Sequence, residues 1–284
     1  MTIFEAYNKT KKELAAAGIE DYVFEAKQIL RHITGFSNVQ IISNPHKKLS
    51  LFEENNLTAI IKQRLIRYPL QYIIGEWGFY GGNFKVGPGV LVPRADTETL
   101  IDIALEFLKD REKSQVCDLC TGSGCIGITV AREKSDSFVT AVEKYEEALR
   151  YARENAKLNG TENIEFISGD VFEGAGAEKQ YDLILSNPPY IPPEEMKEIS
   201  PEAKFEPETA LLGGEDGLDF YRNITEKYKE ALKPGGYLCF EFGMGQGDDV
   251  CAILNTNGFK VLERVKDNND IERAVLARYD RKED

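Results

Sequence analysis

The sequence predicts an α/β protein, a doubly wound and mostly parallel sheet preceded by a small helical domain. From Asp96 onward, short apolar runs alternate with amphipathic stretches of helical period, the pattern of strands joined by crossover helices. One apolar run, Val116 to Leu119, passes straight into a turn with glycines at 122, 124 and 127, the spacing of a strand-turn-helix ligand loop. Ahead of Pro69 the periodicity is helical only.

The N-terminal elements follow from caps and periodicity. Thr2 and Glu5 have capping-box spacing before an apolar series through Phe4, Tyr7, Leu14 and Ala15. Tyr22, Ala26, Ile29, Leu30 and Ile33 mark a second helix. Ser50 and Glu53 repeat the capping box ahead of Leu57, Ile60, Ile61, Leu65 and Ile66. Tyr68-Pro69 stops that helix, because a residue before proline is pushed out of the α region. These faces read as the core of a small bundle rather than a groove for a partner.

From Trp77 to Val86 the chain turns aromatic and glycine-rich, a hairpin with Gly81-Gly82-Asn83 as its turn. Gly87-Pro88-Gly89 and Pro93 then break the chain as a linker. The domain boundaries expected are 1–74 helical, 75–95 hairpin and linker, and 96–284 α/β. Within the last, strands are expected at Val116–Leu119, Phe138–Val142, Ile164–Ile167, Leu183–Leu185 and Tyr237–Phe242. Helices are expected at Thr97–Leu108, Tyr145–Leu158 and Phe220–Leu232. Val261–Lys266 and Arg273–Ala277, joined by the polar Asp267–Asp270 loop, could close the sheet as an antiparallel hairpin.

Composition narrows the function. Hydrophobic residues at 42% and charged residues at 29% of 284 describe an ordinary globular chain. The net charge of -13 argues against a protein that grips nucleic-acid phosphates, which calls for a basic stripe. The basic clusters are Lys47-Lys48 and the stretch from Lys62 to Arg67. No apolar run nears the ~20 residues that span a bilayer, and Met1 to Lys12 does not read as a secretory signal. A reduced, cytoplasmic, membrane-free protein is expected.

The glycine loop, Cys120-Thr121-Gly122-Ser123-Gly124, lets a ligand approach the backbone where side chains would block it. Glu143 ends the next strand, where a carboxylate can accept both hydroxyl hydrogens of a ribose. Dinucleotide enzymes and methyltransferases share these features. Cys117 and Cys120 have redox or metal spacing, but along a continuing strand they face opposite ways, and no second Cys/His pair completes a site. His32 and His46 lie far away, so no metal is expected.

Asp182-Leu183-Ile184-Leu185-Ser186-Asn187-Pro188-Pro189-Tyr190 is more specific. An apolar strand ends in an amide, two prolines and an aromatic ring. Prolines fix φ and remove donors, leaving carbonyls exposed as acceptors. The Asn187 oxygen and the Pro188 carbonyl can accept the two hydrogens of a planar NH2 group, whose lone pair is otherwise delocalised. Tyr190 can cover its flat face. A sulfonium methyl donor then needs mainly in-line positioning, and no strong base.

With Tyr68-Pro69-Leu70-Gln71-Tyr72-Ile73-Ile74-Gly75, Leu91-Val92-Pro93-Arg94-Ala95-Asp96-Thr97-Glu98, and Phe205 to Leu211 leading into Gly213-Gly214-Glu215-Asp216-Gly217-Leu218, the chain resembles the HemK/PrmC family over nearly its full length. These are the N5-glutamine methyltransferases of peptide-chain release factors. The resemblance implies a seven-stranded, Rossmann-like methyltransferase domain, an N-terminal helical domain that helps hold the protein substrate, and a hairpin between them. It implies S-adenosylmethionine as cofactor, leaving as S-adenosylhomocysteine, and the glutamine of the Gly-Gly-Gln motif of class I release factors as substrate. A monomer is expected. Carried over by position, Asp118, Cys120, Thr121, Gly122, Ser123, Gly124, Glu143, Asp170, Val171 and Asn187 hold the cofactor. Asn187, Pro188, Pro189 and Tyr190 bind the glutamine, with Asn187, Pro188 and Tyr190 catalytic. Cys120 departs from a more usual glycine and Glu143 from a common aspartate. A methyltransferase of nucleobase amino groups shares the catalytic turn but should show a basic track. An oxidoreductase leaves Asn187 to Tyr190 unused, and a non-catalytic module commonly loses one of the two loops.

Overall fold

The computed structural model describes residues 1–267 and 269–280. They divide into two compact units, one formed by Met1–Gly75 with Ser200–Phe205, the other by Glu76–Ile199 and the chain from Glu206 onward.

The first unit holds α1 (Ile3–Ala16), α2 (Tyr22–Thr34), α3 (Asn38–Ser43), α4 (Leu51–Leu65) and α5 (Leu70–Ile74). Reciprocal capping boxes start α1 at Thr2/Glu5 and α4 at Ser50/Glu53, and a third, Ser37/Gln40, starts α3. Each satisfies backbone donors that a helix start leaves open. The buried face of α1 is Ile3, Ala6, Thr10 and Leu14; Phe4, expected inside, is 57% exposed. In α4, Leu57, Ile60 and Ile61 are buried as expected, whereas Leu65 and Ile66 face outward and Arg64 turns in. The reason is charge pairing. Arg64 gives its guanidinium to Glu25 at 2.8 and 2.9 Å, to the Tyr68 carbonyl at 2.6 Å and to Glu202 at 2.9 Å. A buried arginine persists only when so satisfied. Arg67 also pairs with Glu202, so the stretch from Lys62 to Arg67 is not a free basic surface.

The second unit opens with a hairpin, β1 (Glu76–Phe79) and β2 (Gly82–Lys85). Phe79 pairs with Gly82, so the turn is Tyr80-Gly81, both at positive φ (44° and 74°), and not Gly81-Gly82-Asn83. Two left-handed residues give the turn whose twist matches the strands. Tyr80 tolerates its conformation because Glu98 accepts from its backbone N–H at 2.8 Å and Arg132 donates to its carbonyl.

The elements that follow are α6 (Glu98–Leu108), β3 (Gln115–Leu119), α7 (Cys125–Glu133), β4 (Phe138–Glu143), α8 (Glu146–Leu158), β5 (Ile164–Ser168) and β6 (Tyr181–Ser186). The unit ends with α9 (Asp219–Tyr228), β7 (Leu232–Glu241), α10 (Gly247–Thr256), β8 (Phe259–Lys266) and β9 (Glu272–Tyr279). They form a seven-stranded sheet in the order β5-β4-β3-β6-β7-β9-β8. The first five strands in that order are parallel, and β9 pairs antiparallel with both β7 and β8. The expected tail hairpin therefore closes the sheet, with α10 added ahead of it. One core cluster, including Leu119, Ile184, Tyr221 and Phe240, and another, including Leu100, Val116, Ile128 and Leu185, fill the two faces. The strand order reverses direction between β3 and β6, the switch point where such sheets bind ligands.

Candidate active site

Leu119 on β3 sits opposite Ser186 on β6, and the Ser186 hydroxyl donates to the Leu119 carbonyl at 2.8 Å. Beyond these residues each strand turns away, one into the glycine loop and the other into Asn187-Pro188-Pro189-Tyr190. A cleft of about 980 Å³, counted to its open mouth, lies over both turns.

The glycine loop is held from inside. Asp118 is fully buried, and its carboxylate accepts from the Thr121 hydroxyl and, at 2.9 Å, from the Gly127 N–H. Gly127 permits this, because a Cβ there would stand 3.0 Å from the same carboxylate. The second Asp118 oxygen has no hydrogen-bond partner among the described residues. Burial pushes this carboxyl up to about 7, against the pull of Thr121 and Gly127. Cys120 takes φ 61°, where a side chain costs roughly 1–2 kcal/mol. Gly122 takes φ 55°, and a Cβ on it would meet no atom nearer than 4.0 Å, so its side-chain space belongs to the cleft.

Glu143 accepts from the Gly122 N–H at 2.9 Å and the Tyr145 N–H at 3.0 Å. Burial raises its pKa, and those backbone donors oppose the rise. A carboxylate has about four acceptor positions, so lone pairs remain for a diol. On the next wall Asp170 accepts from the Phe172 N–H at 2.9 Å and pairs with Lys144 at 2.7 Å. Burial would raise its carboxyl, yet these partners outweigh burial and hold it below its ordinary value. Ile126, Ala148, Val171, Phe172 and Phe220 supply apolar lining, the last two rings packed edge to face at 4.9 Å. A nucleoside with a vicinal diol fits this combination of carboxylate, open glycine backbone and apolar slot.

The second turn is held from outside. The Asn187 Nδ2 donates to the Thr97 hydroxyl at 3.1 Å. Ile191 N–H donates to the Leu211 carbonyl at 2.8 Å, Gly213 N–H to the Ile191 carbonyl at 2.9 Å, and Gln246 Nε2 to the Tyr190 carbonyl at 2.9 Å. Gly213 and Gly217 lie so close that a Cβ on either would stand 2.6 Å from Tyr190 Cα or 2.4 Å from its carbonyl oxygen. Behind Thr97, Glu241 at the end of β7 is buried. Burial pushes its carboxyl up to about 7; the neighbouring Thr97 hydroxyl pulls back, Asp96 raises it further, and Arg273 and Arg94 lower it.

Of the residues expected from sequence, Cys120, Thr121, Gly122, Ser123, Glu143, Asp170, Val171, Asn187 and Pro189 line the one cleft. Asp118, Gly124, Pro188 and Tyr190 do not line it, although each belongs to one of its two turns or to the strand beneath. Sequence reasoning missed Arg94, Thr97, Pro207, Thr209, Ala210 and Phe220, which also line it. The first five lie within or beside the Leu91–Glu98 and Phe205–Leu211 segments that carried the resemblance, which was the available signal. Among the described residues no group of His, Cys, Asp and Glu could hold a metal ion, and no helix is long and apolar enough to cross a membrane.

Residues 93–205 match the family described as methyltransferase small domain, and residues 5–75 the one described as PrmC N-terminal domain. A solved methyltransferase from Pyrococcus furiosus superposes with a TM-score of 0.53 at 21% identity, covering 80% of this chain and 99% of that one, a likeness of fold. Fold and site together define an S-adenosylmethionine-dependent methyltransferase. Proteins named release factor glutamine methyltransferase are similar along the chain. That of Fusobacterium nucleatum is 37% identical over 96% of this chain and 78% of its own length, and that of Thermodesulfovibrio yellowstonii is 39% identical over 89% and 91%. The chain belongs to the release factor glutamine methyltransferase family.

Proposed function

We propose that the protein methylates the side-chain nitrogen, N5, of the glutamine in the Gly-Gly-Gln motif of class I peptide-chain release factors. The observation that carries this is the Asn187 amide, whose nitrogen is taken by Thr97 at 3.1 Å on the rim of a cleft shared with the glycine loop. With its nitrogen engaged, Asn187 offers its oxygen. That oxygen and the Pro188 carbonyl accept the two hydrogens of the glutamine amide, hold it planar to the cleft and aim its lone pair inward. Tyr190 covers the amide plane. S-adenosylmethionine supplies, when bound, a methyl group on a sulfonium that leaves readily. Cys120 to Ser123, Glu143, Asp170, Val171 and Asn187 hold it, Glu143 through the ribose hydroxyls, while Asp118 and Gly124 act from beneath by shaping the loop. Once methylated, the amide nitrogen is acidic enough to lose its proton without a strong base beside it.

Residues 1–74 dock the protein substrate and residues 96–284 carry the chemistry, with 75–95 between them. Support comes from the cleft, none of whose lining residues lies within 1–74, although Gly89, Val90, Leu91, Pro93 and Arg94 of the linking segment line it beside residues after 96. Five unpaired cysteines suit the reducing cytoplasm where release factors work.

The test is transfer of labelled methyl to a purified release factor, with the label located by peptide mass spectrometry. Label on the motif glutamine is expected, and Asn187→Ala should lower turnover by about 10²-fold or more, as loss of one preorganised polar contact does elsewhere. Label on another residue, or wild-type turnover by Asn187→Ala, would overturn the assignment.

A further inference from the structure

S-adenosylmethionine ends in an amino-acid arm that carries a carboxylate. A cleft that takes the arm in must pair that charge, because a buried, unpaired carboxylate is strongly disfavoured. The charged residues lining the cleft are two acids, Glu143 and Asp170, and two cations, Lys144 and Arg94. Lys144 is paired with Asp170 at 2.7 Å. Several donors of the glycine loop are already engaged: Thr121 N–H goes to the Val142 carbonyl, Gly122 N–H to Glu143 and Gly124 N–H to the Thr121 carbonyl. Arg94 is different. Its Nη2 donates to Glu206 Oε1 at 2.6 Å, and among the described residues its guanidinium makes no other hydrogen bond or ion pair. The Glu206 side chain is 1% exposed, whereas that of Arg94 is 41% exposed.

We propose that Arg94, held by the buried Glu206, binds the carboxylate of the amino-acid arm of S-adenosylmethionine. This rests on the placing of the ribose on Glu143 given above. A guanidinium forks its N–H donors outward and can meet two carboxylates at once. Arg64 in this chain does so, with Glu25 and Glu202. Arg94 has one such partner and faces the cleft with the rest of its donors. Its position suits the arm. Thr97 N–H donates to the Arg94 carbonyl at 3.2 Å, and the Thr97 hydroxyl accepts from Asn187, so Arg94 stands one turn from the residue that touches the catalytic turn. With the ribose on Glu143 and the sulfonium toward Asn187, the wall left to the arm is that of Arg94, Pro207 and Thr209. Glu206 fixes the guanidinium before the ligand arrives, so less side-chain freedom is lost on binding.

The experiment titrates the full chain by calorimetry, as wild type, Arg94→Gln, Arg94→Lys and Glu143→Ala. The ligands are S-adenosylhomocysteine, its methyl ester, and 5′-methylthioadenosine, which lacks the amino-acid arm. Wild type should bind the acid roughly 10- to 100-fold more tightly than the ester, the scale of a hydrogen bond to a charged group. In Arg94→Gln acid and ester should bind within about 3-fold of each other, while 5′-methylthioadenosine stays within about 3-fold of its wild-type affinity. Arg94→Lys keeps the charge but loses the fork, and its ratio should lie between the two. A wild-type ratio in Arg94→Gln would overturn the proposal, and so would wild type binding acid and ester alike. Equal losses of the acid and of 5′-methylthioadenosine in Arg94→Gln would also overturn it, since Arg94 would then shape the cleft as a whole. Should Arg94→Gln not fold, Arg94→Lys decides, because a wild-type ratio there would overturn the proposal. Glu143→Ala should weaken all three ligands. Wild-type affinity of Glu143→Ala for 5′-methylthioadenosine would instead remove the ribose placement, and this inference with it.

Discussion

The turn after β3 and the turn after β6 leave neighbouring strands at matched register and face the same cleft, but they are secured differently. The glycine loop is closed by residues near it in sequence. Asp118 ties Thr121 to Gly127, and Glu143, at the tip of the next strand, ties Gly122 to Tyr145. The Asn187 turn has no such internal tie. Its oxygen acceptors are positioned by Thr97 before the sheet begins, by Gly213 and Gly217 beyond the turn, and by Gln246 at the start of α10. A cofactor common to many enzymes is met by a loop held mostly by its neighbours in sequence, with Asn155 on α8 donating to the Ser123 carbonyl at 2.9 Å. A substrate amide is met by a turn whose shape is assembled from across the domain.

If that contrast holds, damage to the two turns should separate cleanly. The largest effect is expected from Gly122→Val. At φ 55° with only open cleft beside it, a β-branched residue is both strained and placed in the ligand's space. S-adenosylhomocysteine binding, followed by calorimetry, should weaken by more than about 10²-fold, against a ceiling of a few fold for changes in the second turn. Unchanged affinity would mean the loop does not bear on the cofactor.

Gly217→Ala probes the other side with a smaller expected effect. Gly217 has φ 76°, and a Cβ would stand 2.4 Å from the Tyr190 carbonyl oxygen, so the backbone of the turn must shift. Turnover on a release factor should fall by about 10-fold or more, while cofactor affinity stays within roughly 3-fold. Loss of both together would show that the turns are one mechanical unit, and the contrast would fail.

The same difference explains what could be read from sequence. The five parallel strands were legible because a buried parallel strand is a continuous apolar run, the antiparallel pair at the tail as a hairpin, and the glycine loop as a motif whose partners lie between residues 118 and 155. The Asn187 turn was legible as a motif but its clamp was not. Nothing local in Gly213, Gly217 or Gln246 says that they press on Tyr190, and Thr97 looked only like the start of a helix. The hairpin turn was misplaced by one residue because Gly81-Gly82 offered two equivalent glycines, and strand register chose Tyr80-Gly81. In α1 and α4 periodicity found the helices but misjudged their buried faces. Phe4 faces outward, and in α4 the ion pairs of Arg64 outweigh the apolar character of Leu65 and Ile66.

The smallest effect concerns how the glycine loop is held, and it depends on pH. Asp118 has an ordinary pKa of 3.8, and burial pushes it up to about 7 in the folded chain. A carboxyl whose folded value lies above its unfolded value binds its proton more tightly when folded. Its contribution to stability is therefore fully present below the unfolded pKa and is lost as pH rises through the folded one. Asp118→Asn is close in size and keeps an oxygen that can accept from Thr121 and Gly127, but it does not titrate. Melting temperatures of wild type and Asp118→Asn, taken without cofactor, should thus diverge with pH. Between about pH 5 and about pH 8 the wild type should lose roughly 2–4 °C or more relative to the variant, the shift that each kcal/mol brings in a chain of this size class. Glu241 titrates in the same window and with the same sign, but it is present in both chains and cancels in the difference if the two sites are independent. A gap that does not move with pH would mean that the buried carboxylate under the loop is not paying a charge penalty. The glycine loop would then be held, like its neighbour, by neutral contacts alone.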